Sequence, residues 1–321
     1  MALRTRLTDR LGIRRPVLLA PMGFVSGGAL AAAVSAAGGL GIIGGGYADL
    51  EWLERELAAA GNQRVGCGFI TWALAQRPAA LDLALHCLPA AIMLSFGDAG
   101  PFIPGIKEAG ALVICQVQSL KQARQALEQG ADIIIAQGSE AGGHGSSRST
   151  LPLVPAIVDM VAASGRDALV VAAGGIADGR GLAAALMLGA DGVLVGTRFL
   201  AAEEALAAPA AKARLVAGSG DDTLRTAVFD IVRGYHWPPE YTGRALINRF
   251  SNTWHGRAAA LTAAGEAERA RYAAAAAAGD TDTAVVFAGE GVDLIHRVEP
   301  AGMILDHIIS EAETALARRF D

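Results

Sequence analysis

The stretch Ile133-Ile134-Ile135-Ala136-Gln137-Gly138-Ser139-Glu140-Ala141-Gly142-Gly143-His144-Gly145 begins as an unbroken apolar run and ends as a glycine loop carrying one imidazole. A strand with one face in water alternates apolar and polar residues. A run without polar interruption belongs to a strand covered on both faces, as parallel strands are. Similar runs recur at residues 16–20, 40–43, 65–69, 91–94, 112–115, 169–172 and 193–195. Helical segments with start and stop signals lie between them. Asp49 can cap a segment that Gly61 ends, and Ser119 with Gln122 spells a capping box for a helix ended by Gly130. Residues 152–164 run into Gly165, and 180–188 into Gly189. Eight strands alternating with helices predict the α/β class and a (β/α)8 TIM barrel. A doubly wound open sheet is the alternative, because periodicity does not show closure.

The rhythm changes after residue 201. Residues 202–300 hold a Gly218-Ser219-Gly220-Asp221-Asp222 turn, the cluster Tyr235-His236-Trp237-Pro238-Pro239 and an alanine run at 273–278. They read as a mainly helical insertion after the eighth strand, near the barrel mouth. Residues 301–321 return as a last helix with Leu305, Ile308, Ile309, Ala312 and Leu316 on one stripe. The barrel therefore comprises 1–201 and 301–321.

Composition narrows the function classes. Of 321 residues, 52% are hydrophobic and 18% charged, which supplies a large core and argues against extended disorder. A formal charge of −5 with no basic run gives no reason to expect nucleic acid as a partner. The alanine tracts are too short to span a membrane and the arginine-rich start lacks a signal-peptide core, so a cytoplasmic protein is expected. Cys67, Cys87 and Cys115 fit no metal spacing, and Cys67 and Cys115 read as core residues. No HxH or HExxH pair occurs among the six histidines, so no metal site is expected.

In a barrel of this kind, ligands sit at the C-terminal strand ends, with phosphate at the loops after strands seven and eight. Those strands end in Gly174-Gly175-Ile176-Ala177-Asp178-Gly179 and Gly196-Thr197-Arg198. Their backbone N–H groups can approach an anion. Thr197 either donates to that anion or caps a helix, and Arg198 pairs either with it or with a carboxylate. Gln116 and Gln137 stand at strand ends, where each can serve a planar heterocycle or bond to loop backbone. Met22 and Gly23 can face such a ring, or Met22 can simply pack in the core. His144 has the position of a base: a neutral imidazole held beside a substrate can remove a carbon-bound proton.

The loop 136–144, the turn Ala172-Ala173-Gly174-Gly175-Ile176-Ala177-Asp178-Gly179 and the turn Val195-Gly196-Thr197-Arg198-Phe199 together resemble the nitronate monooxygenase family, formerly called 2-nitropropane dioxygenases. The resemblance runs from the 16–22 segment through the last helix. It implies an FMN-binding barrel with flavin contacts at Gln137, Gly142, Gly143, Gly174, Gly175, Leu194, Val195, Gly196 and Thr197. Met22, Gly23 and Gln116 lie near the ring, and His144 matches the family's catalytic base. Two positions depart from the pattern. Gly68 stands where relatives often carry a flavin-contacting asparagine, and Gln116 where some carry lysine.

The implied activity is oxidative denitrification of a small alkyl nitronate or nitroalkane to a carbonyl compound and nitrite, with O2 as co-substrate. The departures bring a second activity into view, an FMN-dependent NAD(P)H:quinone or enoyl-thioester reductase. A non-catalytic flavin-binding barrel is a third. The sequence is compatible with a homo-oligomer.

Overall fold

The computed structural model describes residues 3–318. Eleven strands follow in chain order: β1 (Val17–Leu19), β2 (Ile42–Gly46), β3 (Gly66–Ile70), β4 (Ala91–Ser95), β5 (Leu112–Val117), β6 (Ile133–Gln137), β7 (Gly143–Gly145), β8 (Leu169–Ala173), β9 (Gly192–Val195), β10 (Thr223–Thr226) and β11 (Thr242–Leu246). Eight of them form one parallel sheet in the order β1-β9-β8-β6-β5-β4-β3-β2. Each of these eight overlaps one of the eight apolar runs of the sequence.

The sheet closes on itself. Leu18 bridges Leu40 in parallel; the Leu19 N–H donates to the Leu40 carbonyl at 2.9 Å and the Leu40 N–H to the Val17 carbonyl at 3.1 Å. The open-sheet alternative is thereby excluded. At this seam Gly41 is pressed against the helix Gly28–Ala36, where an added β-carbon would lie 1.8 Å from the Ala31 carbonyl oxygen.

Each strand buries both faces, which explains the missing alternation. Ile133 and Ile135 point into the lumen with Leu18, Ile42, Met93, Ile114, Val171 and Leu194. Ile134 and Ala136 point outward into the layer between strands and helices, with Cys67, Ile92, Cys115 and Val170. Burial pushes the thiols of Cys67 and Cys115 up to about 12, so both are protonated packing groups. The helix Arg6–Leu11 closes the N-terminal end of the lumen with Leu7 and Leu11.

The caps form with one change. Asp49 accepts from the Trp52 N–H at 2.9 Å, and Ser119 from the Gln122 N–H at 3.2 Å. The Gln122 side chain accepts from the Gln118 N–H at 2.8 Å instead of turning back to the cap residue's own amide. The last helix, Ala301–Leu316, buries Ala301, Ile304, Leu305, Ile308 and Ala312. Leu316, expected on that stripe, is exposed because the helix outruns the barrel wall.

Residues 202–300 contain the helices Pro209–Val216, Val228–Arg233, Arg249–Trp254 and Ala258–Ala277, the last kinked at Gly265. They also supply β10 and β11, an antiparallel pair that the sequence reading did not foresee. β7 adds to the free side of β11, so the glycine loop after β6 becomes an edge strand, with His144 opposite Gly243. A local core of Val228, Phe229, Val232, Phe250, Leu261 and Tyr272 holds these elements together. No helix among the described residues is long and apolar enough to cross a membrane.

Candidate active site

A cavity of ≈ 540 Å³ lies between the C-terminal ends of the barrel strands and residues from the 202–300 stretch. Met22, Gly23, Gln116, Gln137, Gly142, Gly143, His144, Gly174, Gly175, Leu194, Gly196 and Thr197 all line it. Val195 stands apart: its side chain is fully buried in the outer layer, and its carbonyl accepts from the Ala20 N–H at 2.9 Å. It shapes the turn without facing the cavity.

One end of the cavity offers backbone. Gly174 and Gly175 both adopt positive φ, 107° and 73°, a region that a side chain would strain. The N–H groups of Gly174, Gly175, Gly196 and Thr197 find no backbone acceptor among the described residues. Four such donors at two adjacent strand ends suit an anion. The Thr197 hydroxyl accepts from the Gly289 N–H at 3.0 Å and keeps its own hydrogen for a second partner. Arg198 takes the carboxylate option, in a buried ion pair with Glu299.

The other end offers rings and one imidazole. His144 Nε2 lies 2.9 Å from Asp230 Oδ2, and the Arg233 guanidinium donates to Asp230 Oδ1 at 2.8 Å. The side chains of His144 and Asp230 are 9% and 4% exposed. Trp237 stacks on the imidazole with centroids 3.5 Å apart and planes 4° from parallel. Phe96 and Phe287 contact it from other sides. Trp237 is itself held by an N–H···O bond to the Tyr47 hydroxyl at 3.0 Å. Phe96 adopts φ 65°, a backbone strain of about 1–3 kcal/mol for a non-glycine residue, tolerated where its ring packs at this site.

Burial holds the His144 imidazole below its ordinary value. Asp230 opposes that effect, while Arg233 and Arg225 reinforce it. The neutral form therefore prevails at neutral pH.

The two glutamines differ. Gln137 Nε2 donates to the His144 carbonyl at 3.0 Å, and its Oε1 accepts from Gln118 at 2.8 Å, so part of its capacity supports the loop. Gln116 lines the cavity, and its amide has no hydrogen-bond partner among the described residues, leaving that amide for a ligand.

The loop is clamped from both sides. The guanidinium groups of Arg225 and Arg244 converge on the Ser139 carbonyl, and Arg225 also donates to the carbonyls of Ala141 and Thr242. Glu140 accepts from the backbone N–H and hydroxyl of Thr150, capping the helix Thr150–Ser164 from outside its own chain segment. Its role is thus to fasten the loop to the barrel.

The nitronate monooxygenase family model matches residues 4–63 and 74–311. The chain belongs to the nitronate monooxygenase family. It is 33% identical over 354 residues to the nitronate monooxygenase of Neurospora crassa, covering 95% of this chain and 91% of that one. Among solved structures, FabK from Thermotoga maritima superposes with a TM-score of 0.84 at 30% identity, over 98% of this chain and 97% of that one. The nitroalkane oxidase of Streptomyces ansochromogenes gives 0.77 at 28% identity, over 97% and 99%. Family membership makes the protein a flavin-dependent oxidoreductase.

The departure at Gly68 has a local cause in this member of the nitronate monooxygenase family. A β-carbon there would lie 2.4 Å from the Pro21 ring, so the close passage of residues 20–23 requires glycine. The sequence reading missed Asp230, Arg233, Phe96, Tyr47, Phe287 and Gln118. Trp237 belonged to a cluster singled out for its composition without a role. Asp230 and Arg233 carried only a weak signal, opposite charges three apart on a short segment.

Proposed function

We propose that this protein is an FMN-dependent nitronate monooxygenase that converts alkyl nitronates or nitroalkanes, with O2, to carbonyl compounds and nitrite. The observation that carries this reading is a desolvated, neutral His144 facing the same cavity as an anion cradle and an unpartnered glutamine amide. A flavin mononucleotide matches that donor set: its phosphate suits the N–H groups of Gly174, Gly175, Gly196 and Thr197. Its ring would lie by Met22, Gly23, Gln116, Gln137 and Leu194, with Gly142 and Gly143 giving close backbone approach. When bound, the flavin supplies the redox chemistry between substrate and O2.

The chain's own residues orient, exclude water and move one proton. Phe96, Trp237 and Phe287 keep the substrate end dry. His144 takes the α-proton of a neutral nitroalkane, a step a preformed nitronate does not need. Residues 202–300 serve as the unit that completes this end of the cavity, and the protein works in the cytoplasm.

A second reading, an NAD(P)H-dependent quinone or enoyl-thioester reductase, rests on Gln116, which puts a neutral amide where a cation would better stabilise negative charge on a reduced flavin. Absorbance spectra of the flavin-loaded protein, mixed without oxygen with ethylnitronate or with NADH, separate the readings. Bleaching by ethylnitronate alone is expected. Bleaching by NADH alone would replace this reading with the reductase, and bleaching by neither would leave a non-catalytic flavin-binding barrel.

A further inference from the structure

We propose that Asp230 is the positioning residue that fixes His144 as the Nε2–H tautomer, so that Nδ1 is the nitrogen that accepts the substrate proton. The inference deepens the nitroalkane reading and takes its substrate from it.

The geometry at Nε2 leaves little choice. A carboxylate accepts hydrogen bonds and does not donate, so at 2.9 Å from Asp230 Oδ2 the neutral ring must carry its hydrogen on Nε2. Arg233 donates to the other carboxylate oxygen at 2.8 Å, which leaves Oδ2 for the ring. Nδ1 then holds the free lone pair. It has no hydrogen-bond partner among the described residues and is not among their sealed, unpartnered atoms, although His144 itself lines the cavity.

A half-turn of the ring about Cβ–Cγ would put Cε1 where Nε2 meets Asp230 and Cδ2 where Nδ1 now lies, and three contacts oppose it. Trp237 stacks flat on one face, Phe287 packs at 5.6 Å, and the β7–β11 register sets the backbone from which the side chain departs. The ring is held in plane by Trp237 and held in tautomer by Asp230.

The proton balance is simple. The α C–H bond of the nitroalkane breaks, its electron pair stays on the substrate as the nitronate, and the proton goes to Nδ1. The imidazolium so formed has the Asp230 carboxylate already against its other nitrogen. The charged groups around the ring are Asp230 and Arg233 from the helix Val228–Arg233 and Arg225 from β10, so one carboxylate stands against two guanidinium groups. Asp230 is the only neighbour of those three that stabilises the protonated ring.

Two readouts test this. Nitrogen-resolved NMR of the flavin-loaded protein, labelled with heavy nitrogen at histidine, reports which ring nitrogen carries hydrogen. The His144 signals are assigned by their loss in His144→Asn. The wild-type ring should be Nε2–H with a bare Nδ1, and a wild-type Nδ1–H ring would overturn the proposal whether or not Asp230→Asn folds.

In Asp230→Asn, the amide can donate to Nε2 and should move the hydrogen to Nδ1. The ratio of nitroethane to ethylnitronate turnover should fall about a hundredfold, the range of a lost general base. A variant whose tautomer or ratio stays at the wild-type value would also overturn the proposal. If the wild type shows the Nε2–H ring yet oxidises neither compound, the tautomer assignment stands and the nitroalkane reading falls.

Discussion

The two walls of the cavity are built on different principles. The barrel wall, from β6, β8 and β9, presents glycines and backbone N–H groups, with side chains turned into the lumen or the outer layer. The facing wall, between residues 225 and 287, presents side chains: Asp230, Arg233, Trp237 and Phe287 around one imidazole. Backbone donors bind whatever has the right charge and shape, and they survive changes of side chain. A proton-transfer group needs a stated tautomer, a desolvated ring and a fixed plane, which only neighbouring side chains can impose. His144 belongs to the first wall by sequence and to the second by contact. β7 is the strand that carries it across.

If that division holds, the largest effect of a single substitution should come from the imidazole. His144→Asn should lower the ratio of nitroalkane to preformed nitronate turnover by about 10²–10⁴, the span of a general base. Steady-state rates on nitroethane and ethylnitronate measure it. An equal fall on both substrates would place His144 in binding and not in proton transfer.

The same ring sets a pH response with a defined sign. Burial lowers its folded-state value below the ordinary one of about 6.5. Nitroethane turnover should therefore be flat at neutral pH and fall about tenfold per unit only below the folded-state value. Stability follows the same direction. The unfolded chain takes up the proton first, so the contribution is full above about 6.5 and is lost as pH falls through the folded-state value. Urea midpoints of wild type and His144→Asn should converge in that acid range.

The two walls were also unequally legible in the sequence. The eight barrel strands were readable because burial on both faces leaves unbroken apolar runs, and Ile133-Ile134-Ile135 shows why: its neighbours go alternately inward and outward, both into apolar surroundings. The glycine turns at 174–175 and 196 were readable because positive φ and close approach select one residue type. β10 and β11 were not, since Thr223–Thr226 and Thr242–Leu246 are short and half polar, and a Gly-His-Gly strand has no pattern at all. Asp230 lies 86 positions from His144, and nothing local marks an aspartate whose value comes from burial beside a distant ring. Gln118 was passed over although the flagged Gln116 and Gln137 bracket it, because only the structure shows which amide faces inward.

Stability substitutions sharpen the contrast between seam and clamp. Gly41→Ala at the β1–β2 closure drives a methyl into the Ala31 carbonyl, and should cost about 3 kcal/mol or more in urea unfolding. Arg225→Met removes the guanidinium from the carbonyls of Ala141 and Thr242, while Arg244 still serves Ser139. Two polar groups left without that partner predict about 2–3 kcal/mol. The flavin should also be held less tightly, because the loop that carries Gly142 and Gly143 is loosened. Equal flavin retention in both variants would mean that the clamp serves the fold alone.

The smallest effect tests whether the barrel wall is as independent of the facing wall as its construction suggests. Ser119 caps the helix Leu120–Gln129, and its partner Gln122 reaches across to the Tyr241 hydroxyl with an N–H···O bond of 2.8 Å. Ser119→Ala removes only the cap and should cost about 1 kcal/mol of stability. Gln122→Ala removes the bridge and leaves the Ser119 hydroxyl to cap. If the walls are separate, Ser119→Ala shifts the urea midpoint and leaves the nitroethane to ethylnitronate ratio unchanged. Gln122→Ala cuts the bridge between the walls and should change that ratio, because Tyr241 packs on Phe96 and Trp237, the rings beside the imidazole. It should lower the urea midpoint too, because the Gln118 N–H loses its acceptor. A change in that ratio on removing the cap alone would show that the helix sets the imidazole's surroundings as well as the wall behind it.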